Sequence, residues 1–344
     1  MSQECSYVLV TGASGFLGVN IVRYLAERKR KVLATTRNLG GCTPLIEDYL
    51  KRLEDFIEWF EIDLRDLEKV MNLANNFSLN GIIHAAFTTP GTIEVEKSKP
   101  REILTSNLLG TINTLELARK VGVRRLVLVS TSGLYGSTTY IDKPVSEDSP
   151  QPYLQMSGFY HITKIACEKL TERYSQLFPM TTTSMRIPVI YGPMERPTSS
   201  RSNMGPIFKL LKLVLTDKRK MIRVKGLNYA RDWTYVMDAA GGLVAGLDAP
   251  EPISPIYNLS CGYNSSLEEV LKTIREVSGV NFEWEEVERD EDADFVASLS
   301  RIRSPLSIEK ARKELRFDPQ YNLKRGIKEY CEWWMGVAAR RLIQ

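Results

Sequence analysis

The chain has 344 residues, 43% of them hydrophobic, with 46 Lys and Arg against 42 Asp and Glu and a formal net charge of +4. That length and apolar content suffice to bury a large core in two or three domains, and interspersed charges of nearly balanced sign give no reason to expect a nucleic-acid or anionic-membrane partner. Five scattered cysteines without a Cys-x-x-Cys pair suit neither a disulfide framework nor a metal knuckle and fit a reducing cytoplasm, while no window approaches the ~20 apolar residues of a membrane span.

In chain order, "YVLV" at 7–10, "KVLATT" at 31–36, "WFEID" at 59–63, "GIIHA" at 81–85, "RLVLVS" at 125–130 and "TTTSMRI" at 181–187 are rich in Val, Ile and Thr and read as strands. The N-terminus before them, "MSQECSYVLV", reads as that of a soluble, unprocessed chain. Helix-length segments fall between the strands, notably 15–29, 100–121 and 157–178. Strand, helix and strand at this spacing mark parallel βαβ units. Residues 1–187 are therefore expected to form a Rossmann-like α/β domain, a doubly wound parallel sheet of six strands with helices on both faces. Ligands of such sheets bind beyond the carboxyl ends of the strands.

From Pro188 the pattern loosens, and "PVIYGPMERPTSSRSNMGP" reads as a long surface loop. Helices at 207–219, 266–278, 307–316 and 323–335, with a strand at 256–260, are expected to make residues 188–344 mainly a smaller substrate-binding lobe, the chain re-entering the first domain around 226–262. Residues 283–294 carry eight acidic side chains in twelve, and 209–225 is basic; both runs read as solvated faces.

Within "TGASGFLG", Gly12, Gly15 and Gly18 follow a strand and open a helix. The first permits a tight turn, the second lets backbone approach a pyrophosphate, and the third lets helix and strand pack closely. The helix N-terminus then offers its unpaired N–H groups to phosphate. About 20 residues further on, an NAD site usually places a carboxylate on the ribose 2′-hydroxyl. Here "ATTRN" offers Thr36 and Arg37 instead. A guanidinium suits a 2′-phosphate, so NADP(H) is favoured as cofactor, with NAD(H) as the alternative. Asp63 ends the third strand, where it either accepts from an adenine amino group or caps a helix beginning near Leu64.

"YHITK" puts Tyr160 and Lys164 four apart on one helix face, where an ammonium beside a phenol lowers the tyrosine pKa toward that of an acid–base catalyst. Upstream, Ser130, Thr131 and Ser132 expose hydroxyls at the carboxyl rim of the sheet, able to hold a substrate oxygen during proton exchange.

With "DL" at 63–64, "HAA" at 84–86, "NLLGT" at 107–111, "STSGLYG" at 130–136, "RIPVIYGP" at 186–193 and "RDWTYVMDAA" at 231–240, the sequence resembles the extended short-chain dehydrogenases/reductases of the NAD-dependent epimerase/dehydratase family over nearly its whole length. The resemblance implies Tyr160 as catalytic base, Lys164 as its ribose-binding partner and Thr131 as catalytic hydroxyl. It implies cofactor contacts from Ser14, Phe16, Leu17, Asp63, Leu64, Ala85, Ala86, Asn107, Ser130 and Pro188, Asn107 being alternatively a buried structural amide. Thr88, Ser132, Val189 and Arg231 are implied on the substrate side, with Arg231 on the diphosphate of a nucleotide sugar or, alternatively, paired to Asp232 or Asp238. His84 and His161 read as structural, and two isolated histidines make no metal site. Homodimerisation through helices near 100–121 and 157–178 is the family's habit.

Two departures shape the expected activity. Dehydratases of the family carry Asp-Glu after the catalytic hydroxyl, where this chain has Ser132 and Gly133, so dehydration is not expected. Many nucleotide-sugar members carry asparagine where this chain has Val189, and a second diphosphate-binding arginine has only Arg289 as its candidate. The expected activity is hydride transfer between NADP(H) and a secondary alcohol or ketone. The alternatives are a nucleotide-sugar 4-epimerase or 4-keto-reductase and, from another class, a non-catalytic dinucleotide sensor.

Overall fold

A computed structural model describes residues 6–39, 44–139, 143–151, 158–198, 201, 203–251, 253–297 and 304–336. The sheet is built from β1 (Tyr7–Thr11), β2 (Val32–Thr36), β3 (Ile57–Glu61), β4 (Leu79–His84), β5 (Arg125–Thr131), β6 (Thr181–Ile187) and β7 (Ile256–Asn258). Between them run α1 (Phe16–Glu27), α2 (Leu67–Asn76), α3 (Pro100–Val121), α4 (Phe159–Leu177) and α5 (Val236–Asp248). All pairings in this sheet are parallel, in the order β7-β6-β5-β4-β1-β2-β3. Where six strands were expected there are seven. The last is the 256–260 run, which leaves the lobe and pairs with β6, placing Tyr257 opposite Met185.

Alternation along each strand divides the core into two layers. Val8, Val10, Val32, Ala34, Ile83, Val127 and Val129 face α1 and α5, packing with Val19, Val22, Ala239 and Leu243. Leu9, Leu33, Ile82, Leu126 and Leu128 face α2, α3 and α4, packing with Val70, Leu73, Leu115 and Cys167. Both faces of the sheet are thus covered, as an all-parallel sheet requires.

Helix ends follow local chemistry. Pro100 sits in the first turn of α3, and Gly122 ends it at φ +66°. The helix expected near Leu64 starts at Leu67 and is capped by Asp66, whose carboxylate accepts from Lys69 N. Asp63 is therefore not its N-cap.

Beyond β6 a second core gathers Phe208, Leu211, Ile222, Val224, Leu271, Ile274, Tyr330 and Trp334. It lies between α6 (Leu267–Ser278), started by a Ser266–Glu269 capping box, α7 (Leu323–Gly336) and a parallel three-stranded sheet with Met221–Lys225 at its centre. The acidic and basic runs meet here. Arg223 pairs with Glu285 at 3.0 Å and Lys225 with Asp290 at 2.7 Å. They are solvated faces, but faces that pair with each other. Among the described residues no helix is long and apolar enough to cross a membrane.

Candidate active site

β1 lies between β4 and β2, so the chain leaves it in both directions and a crevice opens at its carboxyl end. Thr11 closes β1 in register with His84 of β4. Its hydroxyl oxygen accepts from Ala85 N and Ala86 N, at 3.1 and 3.2 Å, and meets His84 Nδ1 at 2.7 Å. His84 also touches Thr111 Oγ1 at 3.0 Å, and burial drives its pKa down to about 3. The ring is neutral and structural.

The glycine turn packs against this floor. Gly12 adopts φ +67°, and a Cβ there would come within 2.8 Å of Ala86 Cα; a Cβ on Gly18 would lie 2.0 Å from Gly12 O. Neither position tolerates a side chain. Gly15 then leads into α1 and borders a cavity of about 360 Å³. Gly12, Ser14, Gly15, Arg37, Asp63 and Leu64 line it, together with Ala85, Ala86 and Thr88. Phe16, Leu17 and Gly18 stand behind the wall in α1, and Asn107, Ser130, Tyr160, Lys164 and Pro188 also lie outside its lining.

Asp63 is held by Arg65, whose Nε donates to both carboxylate oxygens at 3.0 Å, and this bond keeps the carboxyl below the usual range. Arg37 also reaches the wall, with Nη1 3.8 Å from Glu102. Asn107 is fully buried: its Oδ1 accepts from Thr88 N at 2.8 Å, while Nδ2 donates to Thr88 O and Thr163 Oγ1. It ties the Thr88 segment to α3 and α4, as a structural amide does.

The reactive end is formed by β5 and α4. A carboxylate oxygen of Glu96 accepts from Phe159 N, the first N–H of α4, favourable for negative charge at a helix N-terminus. Thr131 ends β5, and its hydroxyl oxygen accepts from Gly133 N at 3.1 Å. Tyr160 is half-buried, and desolvation raises its phenol to about 12 against the lowering influence of Thr131, Arg201 and Thr89. Lys164 Nζ donates to Val129 O at 2.5 Å and sits 3.0 Å from the centroid of Phe87 but 5.6 Å from that of Tyr160. Burial lowers its pKa to about 7, against the raising influence of Cys167 and Glu168. The lowering of the phenol expected from the four-residue spacing is not seen here, because Lys164 is drawn to Val129 O and the Phe87 face while desolvation raises the phenol.

One turn beyond Lys164, Glu168 accepts from Ser130 Oγ at 2.5 Å and from Arg186 at 2.7 Å, joining α4 to β5 and β6 beneath the reactive groups. Ser130 is accordingly engaged below the site.

On the lobe side, Arg231 is buried; its Nε donates to Tyr229 Oη at 2.5 Å and its guanidinium stacks on that ring. The two carboxylates offered by the sequence as structural partners are engaged by other donors. Asp232 accepts from Thr234, Cys261 and Leu306 N, and Asp238 from Gln320 N and Tyr321 N. Val189 stands in register with Trp233 just beyond β6, and Ser132 is buried next to Thr131. Arg289 is corrected as a diphosphate candidate: its side chain is 67% exposed and bound to Asp292 at 2.7 Å. Arg196 went unnoticed in the sequence. It lines the cavity and donates to Ser14 O at 2.8 Å, and the only signal was an arginine inside a Pro/Ser-rich loop.

The sequence model of the NAD dependent epimerase/dehydratase family matches residues 8–260. The chain belongs to this family. Among curated relatives of this family member, a UDP-glucuronate 4-epimerase of Thermodesulfobacterium geofontis is 29% identical over 336 residues, covering 95% of each chain. UDP-glucuronate 4-epimerase 4 of Arabidopsis thaliana is 24% identical, covering 95% of this chain and 75% of its own. Among solved structures, the UDP-glucose 4-epimerase of Thermus thermophilus in complex with NAD superposes with a TM-score of 0.75 at 26% identity, over 96% of this chain and 99% of that one.

Proposed function

We propose that this protein is a nucleotide-sugar 4-epimerase that uses a nicotinamide dinucleotide. The observation that carries this reading is the likeness to a UDP-glucuronate 4-epimerase over 95% of both chains, from the glycine turn through the lobe. It favours the epimerase over the net hydride transfer to a ketone or alcohol expected from the sequence. The residues fit a dinucleotide: side-chain-free Gly12 and Gly18 form the cradle, and the start of α1 meets the diphosphate. When bound, the nicotinamide supplies a hydride acceptor that returns the hydride to the other face of the sugar.

The protein's own task is to move and hold protons. Tyr160, as phenolate, takes the proton of the sugar hydroxyl undergoing oxidation and gives it back on reduction. Thr131, whose influence already lowers the phenol, holds the same oxygen through both halves. Lys164, now on Val129 O and the Phe87 face, would hold the nicotinamide ribose. Dehydration is disfavoured by space as well as by residue type: a Cβ at Gly133, where dehydratases carry Glu, would lie 2.6 Å from His161 Nε2. The deciding experiment incubates the enzyme with UDP-glucuronate or UDP-glucose and follows nicotinamide absorbance and product stereochemistry. Inversion at C4 without net reduction is expected; stoichiometric gain or loss of reduced nicotinamide restores the oxidoreductase reading.

Arg231 is proposed to bind the sugar nucleotide's diphosphate. Arg231→Ala should raise KM for the true substrate at least tenfold, the loss of one charge-assisted hydrogen bond of about 1.5–3 kcal/mol, with little change in melting temperature. Unchanged KM removes Arg231 from the substrate site.

For the cofactor we retain NADP(H) as the preferred form, because Arg37 lines the cavity where NAD sites place a carboxylate. Binding of NADP should exceed that of NAD by about tenfold, and Arg37→Asp should reverse the order. Wild-type protein that binds NAD at least as tightly as NADP would leave Arg37 serving only its pair with Glu102.

A further inference from the structure

The loop after β6 contains a buried charge outside the roles assigned so far. Glu195 is fully buried, and its Oε1 accepts from both Arg201 Nη2, at 2.9 Å, and Gly205 N, at 2.8 Å. Burial raises the pKa of this carboxyl, with Arg201 the leading influence holding it down. Its second oxygen is buried and has no hydrogen-bond partner among the described residues. An ion pair so desolvated fixes the arginine more firmly than a surface pair does.

The backbone fixes the same residue. Thr198 N donates to Arg201 O at 2.8 Å, and Arg201 N donates back to Thr198 O at 3.1 Å, and Thr198 lines the dinucleotide cavity. So paired, Arg201 places its guanidinium over Phe16, 5.3 Å from the ring centroid. Phe16 is the first residue of α1, at the helix end whose unpaired N–H groups suit a phosphate. The side chain stays 29% exposed, and among the described residues Glu195 is its one hydrogen-bond acceptor. Among the described residues most of the guanidinium donors thus meet no acceptor.

We propose that Arg201, anchored by buried Glu195, is a diphosphate-binding residue at the head of α1. This inference rests on the reading of the site as one for a dinucleotide and a sugar nucleotide, each of which carries a diphosphate. The same arginine acts on the Tyr160 phenol, on which its charge exerts a lowering influence. Because one oxygen of Glu195 holds both Arg201 and the amide of Gly205, ahead of the lobe helix Pro206–Leu211, the grip on the diphosphate is joined to the start of the lobe.

The test is calorimetric titration of wild type, Arg201→Ala, Arg201→Lys and Glu195→Gln with NADP, NAD and UDP, each variant first matched to wild type in its melting profile. Arg201→Ala should weaken at least one diphosphate ligand by about tenfold to a hundredfold, with Arg201→Lys intermediate. Weakened dinucleotide with unchanged UDP assigns the contact to the cofactor, and the reverse assigns it to the sugar nucleotide; either supports the proposal. Equal affinity of wild type and Arg201→Ala for all three ligands overturns it. Wild-type protein that binds UDP but neither dinucleotide overturns the cofactor reading instead, and the UDP arm still reads Arg201. Should Glu195→Gln bind like wild type while Arg201→Ala does not, the anchoring role of Glu195 falls and the contact of Arg201 stands.

Discussion

Tyr160→Phe should lose nearly all turnover while keeping its affinity for the dinucleotide. The substitution removes the one oxygen that exchanges a proton with the sugar but leaves a ring of the same shape in the same half-buried position. General acid–base assistance is typically worth about 10²–10⁴-fold, which sets the size of the loss in kcat. The phenol stands near 12 in this structure because burial disfavours the phenolate. Thr131 and Arg201 already pull it down, and arrival of Lys164 at the ribose would add a cation beside it. The pH profile of kcat should accordingly place the tyrosine limb well below 12 in wild type. A Tyr160→Phe enzyme within about threefold of wild type would falsify the assignment of Tyr160 as the base.

The second large effect concerns the buried ion pair beneath the site. Arg186 is 0% and Glu168 3% exposed, so Arg186→Met strands a carboxylate in the interior with Ser130 as its remaining donor among the described residues. Breaking such a pair costs about 3–5 kcal/mol, a large share of the stability of an ordinary domain, whereas replacing both partners with apolar residues is often close to neutral. Urea unfolding should show that loss for Arg186→Met and substantial recovery for Glu168→Leu/Arg186→Met.

The double variant reads a second quantity. Glu168 supports the cationic form of Lys164, whose pKa stands near 7. Without that carboxylate the lysine pKa falls further, and a lysine is cationic only below its pKa. The alkaline limit of the activity that needs the ammonium should therefore move to lower pH. An unchanged profile in a stable double variant would mean that Glu168 serves the fold alone.

Much of the site was legible because its signals are local. Gly12, Gly15 and Gly18 stand where one turn needs backbone without side chains, and Tyr160 and Lys164 share a helix face by spacing alone. Asp63 was harder. Its carboxylate and that of Asp66 compete for the same cap, and only the observed start of α2 at Leu67 separates them. Arg231 and Arg289 look alike in sequence, each with acidic neighbours. Folding buries one against Tyr229 and leaves the other bound to Asp292 at the surface.

By itself the sequence determined the layered βαβ half, through alternation such as Val8, Leu9 and Val10 and through helical stretches such as 100–121, because periodicity acts between near neighbours. Only the tertiary structure decided what depends on partners far along the chain. The short run at 256–258 becomes the seventh strand because it pairs with β6; alone it has no side to bury. Acidic 283–294 and the 219–225 end of basic 209–225 become adjacent strands and loops whose charges meet across the sheet. Arg201 reaches the head of α1 because a buried carboxylate holds it there, and desolvation, which makes that hold strong, exists only once the lobe has packed.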